Sequence, residues 1–352
     1  MSVDRSAESD QRAHAPPVVS VVVPTKRRAD LLAKCVSSIL AQTTSDIEVI
    51  VVVDGPDPAT IDFLSKLDDD RLSYIIHPES RGVSNARNTG IGVATGQWLA
   101  FCDDDDLWAP TKLEAQLSAL GSNPSARWAI AGEVRFRDGH AMVSCAEPPS
   151  ADAVAAALPY SNPVPGGCSG VIADRRLVVE LGAFDPRLSM LADRDLWIRL
   201  NWTSSVAVAD QPLVGYRDHE SAMTRRLRNV ERELDVIREK YDNELEGFGQ
   251  HFPSDRFYVW AYRRTFSSGD RRGGFEFLAR SPRFRSAVWR WYVNRARRRL
   301  GLTRGESGVL PPVARSATTA EFPWLLVDLD AQDDSSLRSE TEYRRETDEQ
   351  GQ

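Results

Sequence analysis

Apolar, β-branched runs alternate with segments of helical periodicity through roughly the first hundred residues. Val18–Val23 (VVSVVV) and Ile47–Val53 (IEVIVVV) carry no polar alternation beyond Ser20 and Glu48, the pattern of strands buried on both faces. Leu72–Ile76 and Gln97–Cys102 read as two further strands. Between them, Ala29–Gln42 sets Leu31, Leu32, Cys35, Ile39 and Leu40 on one helical face, and Pro58–Leu67 suits a second helix. The segment 82–94 begins as a helix but contains Gly90 and Gly92, which cost helix stability and point to a close neighbour. Strands alternating with helices predict an α/β fold built on a doubly wound parallel sheet.

The pattern then changes. Trp108–Leu120 predicts a helix entered through Pro110, with Leu113, Leu117 and Leu120 inward. Arg127–Phe136 and Ala141–Cys145 read as an antiparallel pair turned at Asp138-Gly139, and Ala151–Leu158 as a short helix. Asn162–Gly170 (NPVPGGCSG) reads as a loop dense in Pro and Gly, either a flexible wall beside an acceptor or a plain surface connection. Leu196, Trp197 and Leu200 mark a helix after Asp193, and Val206–Ala209 and Leu213–Tyr216 read as closing strands. Asn229–Leu245 is amphipathic, with Val230, Leu234, Ile237 and Tyr241 on one face. Residues 1–17 read as a disordered leader, 227–302 as a C-terminal helical region, and 303–352 as an acidic, largely disordered tail in which EFPWLLVDL alone can dock.

A net charge of −7 removes any overall reason to expect nucleic-acid binding. Four scattered cysteines without a C-x-x-C pair read as reduced thiols of a cytoplasmic protein. No apolar run approaches the ~20 residues of a spanning helix. The chemistry concentrates where strand Gln97–Cys102 ends in Asp103, Asp104, Asp105 and Asp106. Unpaired carboxylates are too costly to bury, so the run is expected to face a cleft or a cation. In open α/β sheets ligands bind at the carboxyl ends of the strands, which also gathers Thr25 and Asp54 there. Carboxylate ligands suit a hard cation, Mg²⁺ or Mn²⁺, that takes substrate phosphates as further ligands. Neither G-x-G-x-x-G after the first strand nor a phosphate-cradling G-x-x-x-x-G-K-[ST] is present.

The succession SVVVPTKRR, EVIVVVDG, RGVSNARNTG, FCDDDDLWAPTKL and ADRDLWIRL resembles the inverting glycosyltransferases of family 2, over roughly Val18 to Arg226. The resemblance implies a GT-A-type mixed sheet, with a nucleotide-sugar half at 18–108 and an acceptor half at 109–226. It places Pro24, Thr25, Arg27 and Asp54 around the nucleoside, Arg87 and Asn88 along the donor, Asp103 and Asp104 at its ribose or sugar, and Asp105 on the metal. His219 after Tyr216-Arg217 matches a histidine that completes the metal–diphosphate site in relatives, and Arg225 or Arg226 would clamp phosphate as a closing loop orders. The family's Glu-Asp pair appears here as Ala192-Asp193, which leaves Asp193 as the general base. The paired Asp-Asp-Gly of the second strand is reduced to Val53-Asp54-Gly55.

The expected function is therefore metal-dependent, inverting transfer of a sugar from a nucleotide-diphosphate sugar, of UDP or dTDP type, to a hydroxyl acceptor of a polysaccharide or lipid-linked glycan. Residues 251–300 hold thirteen arginines against three acids, interleaved with aromatics. Such a face packs as helices or rests peripherally on the anionic inner surface of the cell membrane. Two rival readings are a nucleotide-sugar binder without turnover, prompted by Ala192, and a haloacid-dehalogenase-type phosphatase, whose Asp-x-Asp normally opens its domain rather than following three strands.

Overall fold

The structure, a computed structural model, describes residues 17–159, 161–219, 230–246 and 314–328. Strands β1 (Val19–Thr25), β2 (Ile47–Val53), β3 (Leu72–Ile76) and β4 (Trp98–Phe101) are parallel, in the order β4-β1-β2-β3. Side chains alternate across the sheet, so Val21 and Val23 pack with Leu32, Cys35 and Ile39 of α1 (Ala29–Leu40), while Val22 joins the opposite core. Both faces being covered, the strand sequences are continuously apolar.

α3 (Val83–Val93) lies on that second face, and Gly90 is the point of contact. A Cβ there would come within 2.4 Å of Val22 Cγ1, whereas one at exposed Gly92 meets nothing within 4 Å. Gly90→Ala is thus expected to cost about 1–3 kcal/mol through overpacking. Gly92→Ala should stabilise by up to ~1 kcal/mol through helix propensity. Thermal melts of the two variants should move in opposite directions.

Beyond the acidic run come β5 (Leu107–Trp108), α4 (Lys112–Ser122), β6 (Ala126–Phe136), β7 (Met142–Ala146) and α5 (Ala151–Ala157). They are followed by β8 (Val171–Asp174), α6 (Arg175–Glu180), α7 (Ala192–Thr203), β9 (Ser205–Arg217) and α8 (Val230–Glu246). β8 runs antiparallel between β4 and β6 and joins the two halves into one mixed sheet, with β7 antiparallel to β6. The two closing strands expected at 206–216 are a single strand, β9, parallel to β6; the register slips on both sides of Gly132, which faces Pro212 and so accommodates the proline, and again between Ala126 and Trp128.

In the polar C-terminal tail, Arg315–Thr318 forms a tenth strand, β10, antiparallel to β7. Phe322 and Leu325 dock beside it on Leu107, Val134 and Phe136, the docking foreseen for EFPWLLVDL. Arg225, Arg226, the leader up to residue 16 and the arginine-rich stretch 251–300 lie outside the described residues. Among those described, no helix is long and apolar enough to cross a membrane, and all four cysteines are free and buried.

Aromatic packing connects the acidic strand end to α7. Phe101 meets Phe184 edge-on at 5.1 Å and Trp197 at 6.4 Å, and Trp197 stacks on Trp128 of β6 at 6.0 Å. Such pairs add about 0.5–1.5 kcal/mol each beyond their burial. Asp103 and Asp193 are therefore mounted on one rigid core.

Candidate active site

The four aspartates divide. Asp104 and Asp106 are buried, contrary to the expectation that the whole run faces a cleft, and both find partners far away in sequence. Asp104 accepts from Thr25 Oγ1 at 2.7 Å and Arg28 Nη1 at 3.0 Å; burial, with Asp105 beside it, still pushes its carboxyl up to about 6. Asp106 accepts from Ser169 Oγ at 2.6 Å and the Arg217 N–H at 3.1 Å, and burial raises it well above the carboxylate range. Asp104 is thus a support beneath Thr25 and Arg28 rather than an open donor contact.

Asp103 and Asp105 keep solvent access. Asp103, 35% exposed at its side chain, accepts from Arg87 Nη2 at 2.6 Å. Asp105 Oδ2 meets Arg28 Nη1 at 2.6 Å and His219 Nε2 at 2.8 Å. Burial alone would raise Asp105, but His219 and Arg28 outweigh it and hold the carboxyl below its ordinary value. β9 delivers His219: Arg217, its last residue, donates through Nε to the Asp105 carbonyl and through its N–H to Asp106.

At the end of β1 the chain turns through Arg27, a non-glycine residue at φ 55°, whose N–H is held by Asp57 Oδ2 at 2.7 Å. The turn leaves Arg27 exposed and swings Arg28, not Arg27, onto the acidic run. Pro24 is buried within β1, paired in register with Val52. Asp54, at the end of β2, takes four bonds from the segment before α3: His77 Nδ1, Ser80 Oγ and the Arg81 and Gly82 N–H groups. It fixes the entry to α3. Asn88 likewise brackets the backbone of Phe184, donating to its carbonyl at 2.8 Å and accepting its N–H at 3.0 Å, so it braces the site rather than lining it.

Arg87 is 4% exposed, lies 5.2 Å above the Phe184 ring and leaves its Nε without a partner. Its charge faces both Asp103 and Asp193. Asp193 stands in the first turn of α7, where Leu191 is the N-cap, so it does not cap the helix. Its Oδ2 accepts from Asn162 Nδ2 at 2.8 Å and its Oδ1 from the Arg194 N–H at 2.6 Å. Burial pushes this carboxyl up to about 6, against the lowering by the Arg194 N–H and Arg87, with Asp103 adding to the rise.

The 162–170 segment is largely buried, not a flexible wall. Gly166 N–H donates to Glu133 Oε2 at 2.6 Å, and Ser169 bridges to Asp103 N–H and Asp106. Gly170 has no room for a Cβ, which would lie 2.2 Å from the Pro165 carbonyl oxygen. Sequence reasoning passed over Arg28, Ser169, Glu133 and Arg217. Only Arg28 carried a visible signal, as the second of two arginines after the strand.

Carboxylates at the carboxyl ends of the central strands lie where open α/β sheets bind their ligands. Residues 20–143 match the model of Glycosyl transferase family 2. An uncharacterised glycosyltransferase of Rickettsia felis is 26% identical over 235 residues, 65% of this chain; the chain spans 39% of the length of that relative. The Escherichia coli UDP-Glc:alpha-D-GlcNAc-diphosphoundecaprenol beta-1,3-glucosyltransferase WfgD is 24% identical over 234 residues, 65% of this chain and 88% of that enzyme. The crystal structure of Staphylococcus aureus TarS 1–349 in complex with UDP-GlcNAc is similar at a TM-score of 0.49 and 16% identity, covering 58% of this chain and 59% of that one.

Proposed function

We propose that the chain transfers a sugar with inversion from a UDP- or dTDP-sugar to a hydroxyl acceptor, with Asp193 as general base. The observation that carries this is the pairing of two carboxylates of opposite character on one core: Asp105 held ionised by His219 and Arg28, and Asp193 raised to about 6. Groups whose environments push their pKa values apart divide the acid–base roles of a site.

Asp193 accepts the proton of the acceptor hydroxyl as its oxygen bonds to the anomeric carbon. The bond from that carbon to the diphosphate breaks, and nucleoside diphosphate leaves. A single displacement inverts the anomeric centre. Asp105 and His219 fit a hard divalent cation as one carboxylate and one imidazole. Among the described residues no group of three or more His, Cys, Asp or Glu side chains converges on a cation position. When bound there, Mg²⁺ or Mn²⁺ would neutralise the diphosphate and stabilise the leaving group. Arg87, with its unpartnered Nε, adds a fixed positive charge beside Asp103, and Thr25 orders the floor. The acceptor class rests on the E. coli relative, which acts on a sugar carried by diphosphoundecaprenol. An arginine-rich segment at 251–300 suits peripheral contact at the cytoplasmic face of a membrane carrying such a lipid.

The test is nucleotide-sugar hydrolysis across a donor panel with Mg²⁺ or Mn²⁺, comparing wild type with Asp105→Ala. Metal-dependent release of one nucleoside diphosphate, reduced about 10²-fold or more in the variant, is expected. Failure of every donor to bind with either metal would remove the reading.

A further inference from the structure

α8 follows the last strand of the GT-A sheet and lies beyond the residues that match the family model, yet it grips the turn bearing Asp193 from both sides. On the near side, Glu233 is 3% exposed. Its Oε2 accepts the N–H groups of Met190 and Leu191, each at 2.9 Å, and its Oε1 the hydroxyl of Ser189 at 2.5 Å. α7 needs this. Its first N–H groups have no partners within the helix, and its N-cap residue, Leu191, has no side-chain acceptor. A carboxylate at this end also complements the helix dipole.

On the far side, Asp195 is fully buried and accepts Tyr241 Oη at 2.7 Å and Lys240 Nζ at 2.5 Å on Oδ1, and Arg199 Nη2 at 2.5 Å on Oδ2. Residues 233 and 240–241 fall on one face of α8, where Leu234, Ile237 and Tyr241 are buried. At position 192, where the resembled motif has Glu, this chain has a buried Ala; the carboxylate that meets the turn comes from α8 instead.

We infer that Glu233, seconded by Tyr241, is a positioning residue that holds the Leu191–Asp195 turn so that the Asp193 carboxylate stands where it can take the acceptor proton. The inference rests on Asp193 being the base. Misplacing a catalytic group by ~1 Å costs up to about 10²-fold, and a loosened turn lets water reach Asp193.

The experiment compares full-length wild type, Glu233→Gln, Glu233→Asp, Tyr241→Phe and Asp193→Asn. UDP release from UDP-glucose and UDP-N-acetylglucosamine is followed with Mn²⁺ from pH 5 to 8, alongside thermal melts. In parallel, the carboxyl resonance of Asp193, assigned as the one missing in Asp193→Asn, is titrated in protein labelled with ¹³C at aspartate carboxyls. Glu233→Gln is expected to lower kcat about 10- to 10²-fold with donor KM unchanged. The Asp193 titration should fall from about 6 toward the ordinary value near ~4. Glu233→Asp should recover part of both effects, and Tyr241→Phe should show a smaller version of them. An unmoved Asp193 titration and an unchanged kcat in Glu233→Gln, even with a lower Tm, would overturn the inference and leave Glu233 a stabiliser of the fold. Wild-type turnover by Asp193→Asn would overturn the base assignment and this inference with it; an inactive Asp193→Asn beside an unaffected Glu233→Gln would overturn this inference alone.

Discussion

Replacing Asp193 by Asn is expected to slow sugar transfer about 10²- to 10⁴-fold, the usual contribution of a positioned general base, while leaving donor binding intact. Asn is isosteric, and its carbonyl oxygen can still accept the Arg194 N–H that Asp193 Oδ1 accepts. What disappears is the capacity to hold a proton. In the wild type, burial raises this carboxyl to about 6, so the rate should fall on an acid limb centred there. The same shift sets a stability effect of opposite sense. An unfolded Asp titrates near ~3.9, so between that value and about 6 the folded state binds the additional proton. Acidification through this window therefore favours folding at this group. At neutral pH the ionised carboxylate costs roughly 3 kcal/mol. Asp193→Asn removes that cost and gives back part of it, because Asn162 Nδ2 then faces an amide instead of a carboxylate oxygen. Its Tm at pH 7.5 should exceed that of wild type, with the gap narrowing toward pH 5. Activity profiles and melts at the two pH values check both halves. A variant with wild-type turnover, or a wild-type profile flat from pH 5 to 8, would remove Asp193 from the mechanism.

The parallel half of the sheet was legible because burial on both faces leaves an uninterrupted apolar run, as in β1 and β2. Gly90 was legible as a close approach for the same kind of reason, a residue that costs helix stability unless something needs its missing side chain. β5 and β8 were not legible, since two and four residues set no period. Nor was the continuity of β9, because a proline within a run argues against a strand unless a bulge accommodates it. In the site, sequence marked the acidic run but not its division. Asp104 and Asp106 turn inward because Thr25, Arg28, Ser169 and Arg217, between 63 and 111 residues away, supply their hydrogen bonds. Asp54 and Asn88 match motif positions, and the sequence did not show that they also hold neighbouring segments, Asp54 the entry to α3 and Asn88 the backbone of Phe184. A motif identifies which residues gather at a site, and the hydrogen-bond partners determine which of them still face a ligand. That α8 would supply a carboxylate to the turn before Asp193 had no local signal, since Glu233 is one of several charges in an amphipathic helix.

Arg87 faces both Asp103 and Asp193, and Arg87→Met should disturb both. The guanidinium is buried, donates to Asp103 at 2.6 Å and lies over Phe184, which keeps water from it. Removing one partner of a buried, hydrogen-bonded charge pair costs about 2–5 kcal/mol. Asp103 retains about a third of its exposure and can rehydrate, which favours the lower end of that range. Affinity for a nucleoside diphosphate should therefore fall by roughly 30- to 10²-fold, equivalent to about 2–3 kcal/mol, as the uncompensated Asp103 repels the diphosphate. The effect on Asp193 is separate. Arg87 lowers the Asp193 carboxyl and Asp103 raises it, so losing the arginine moves the acid limb above 6. Arg87→Lys preserves the charge but not the planar fork, and should restore the position of the acid limb more completely than the affinity. Calorimetry with UDP and Mn²⁺, paired with the pH dependence of donor hydrolysis, separates the two effects. A shift of the limb without loss of affinity would make Arg87 an electrostatic partner of Asp193 alone. Loss of affinity with the limb unmoved would confine it to the donor. With neither change, the charge at the centre of the site would have no part in the reaction.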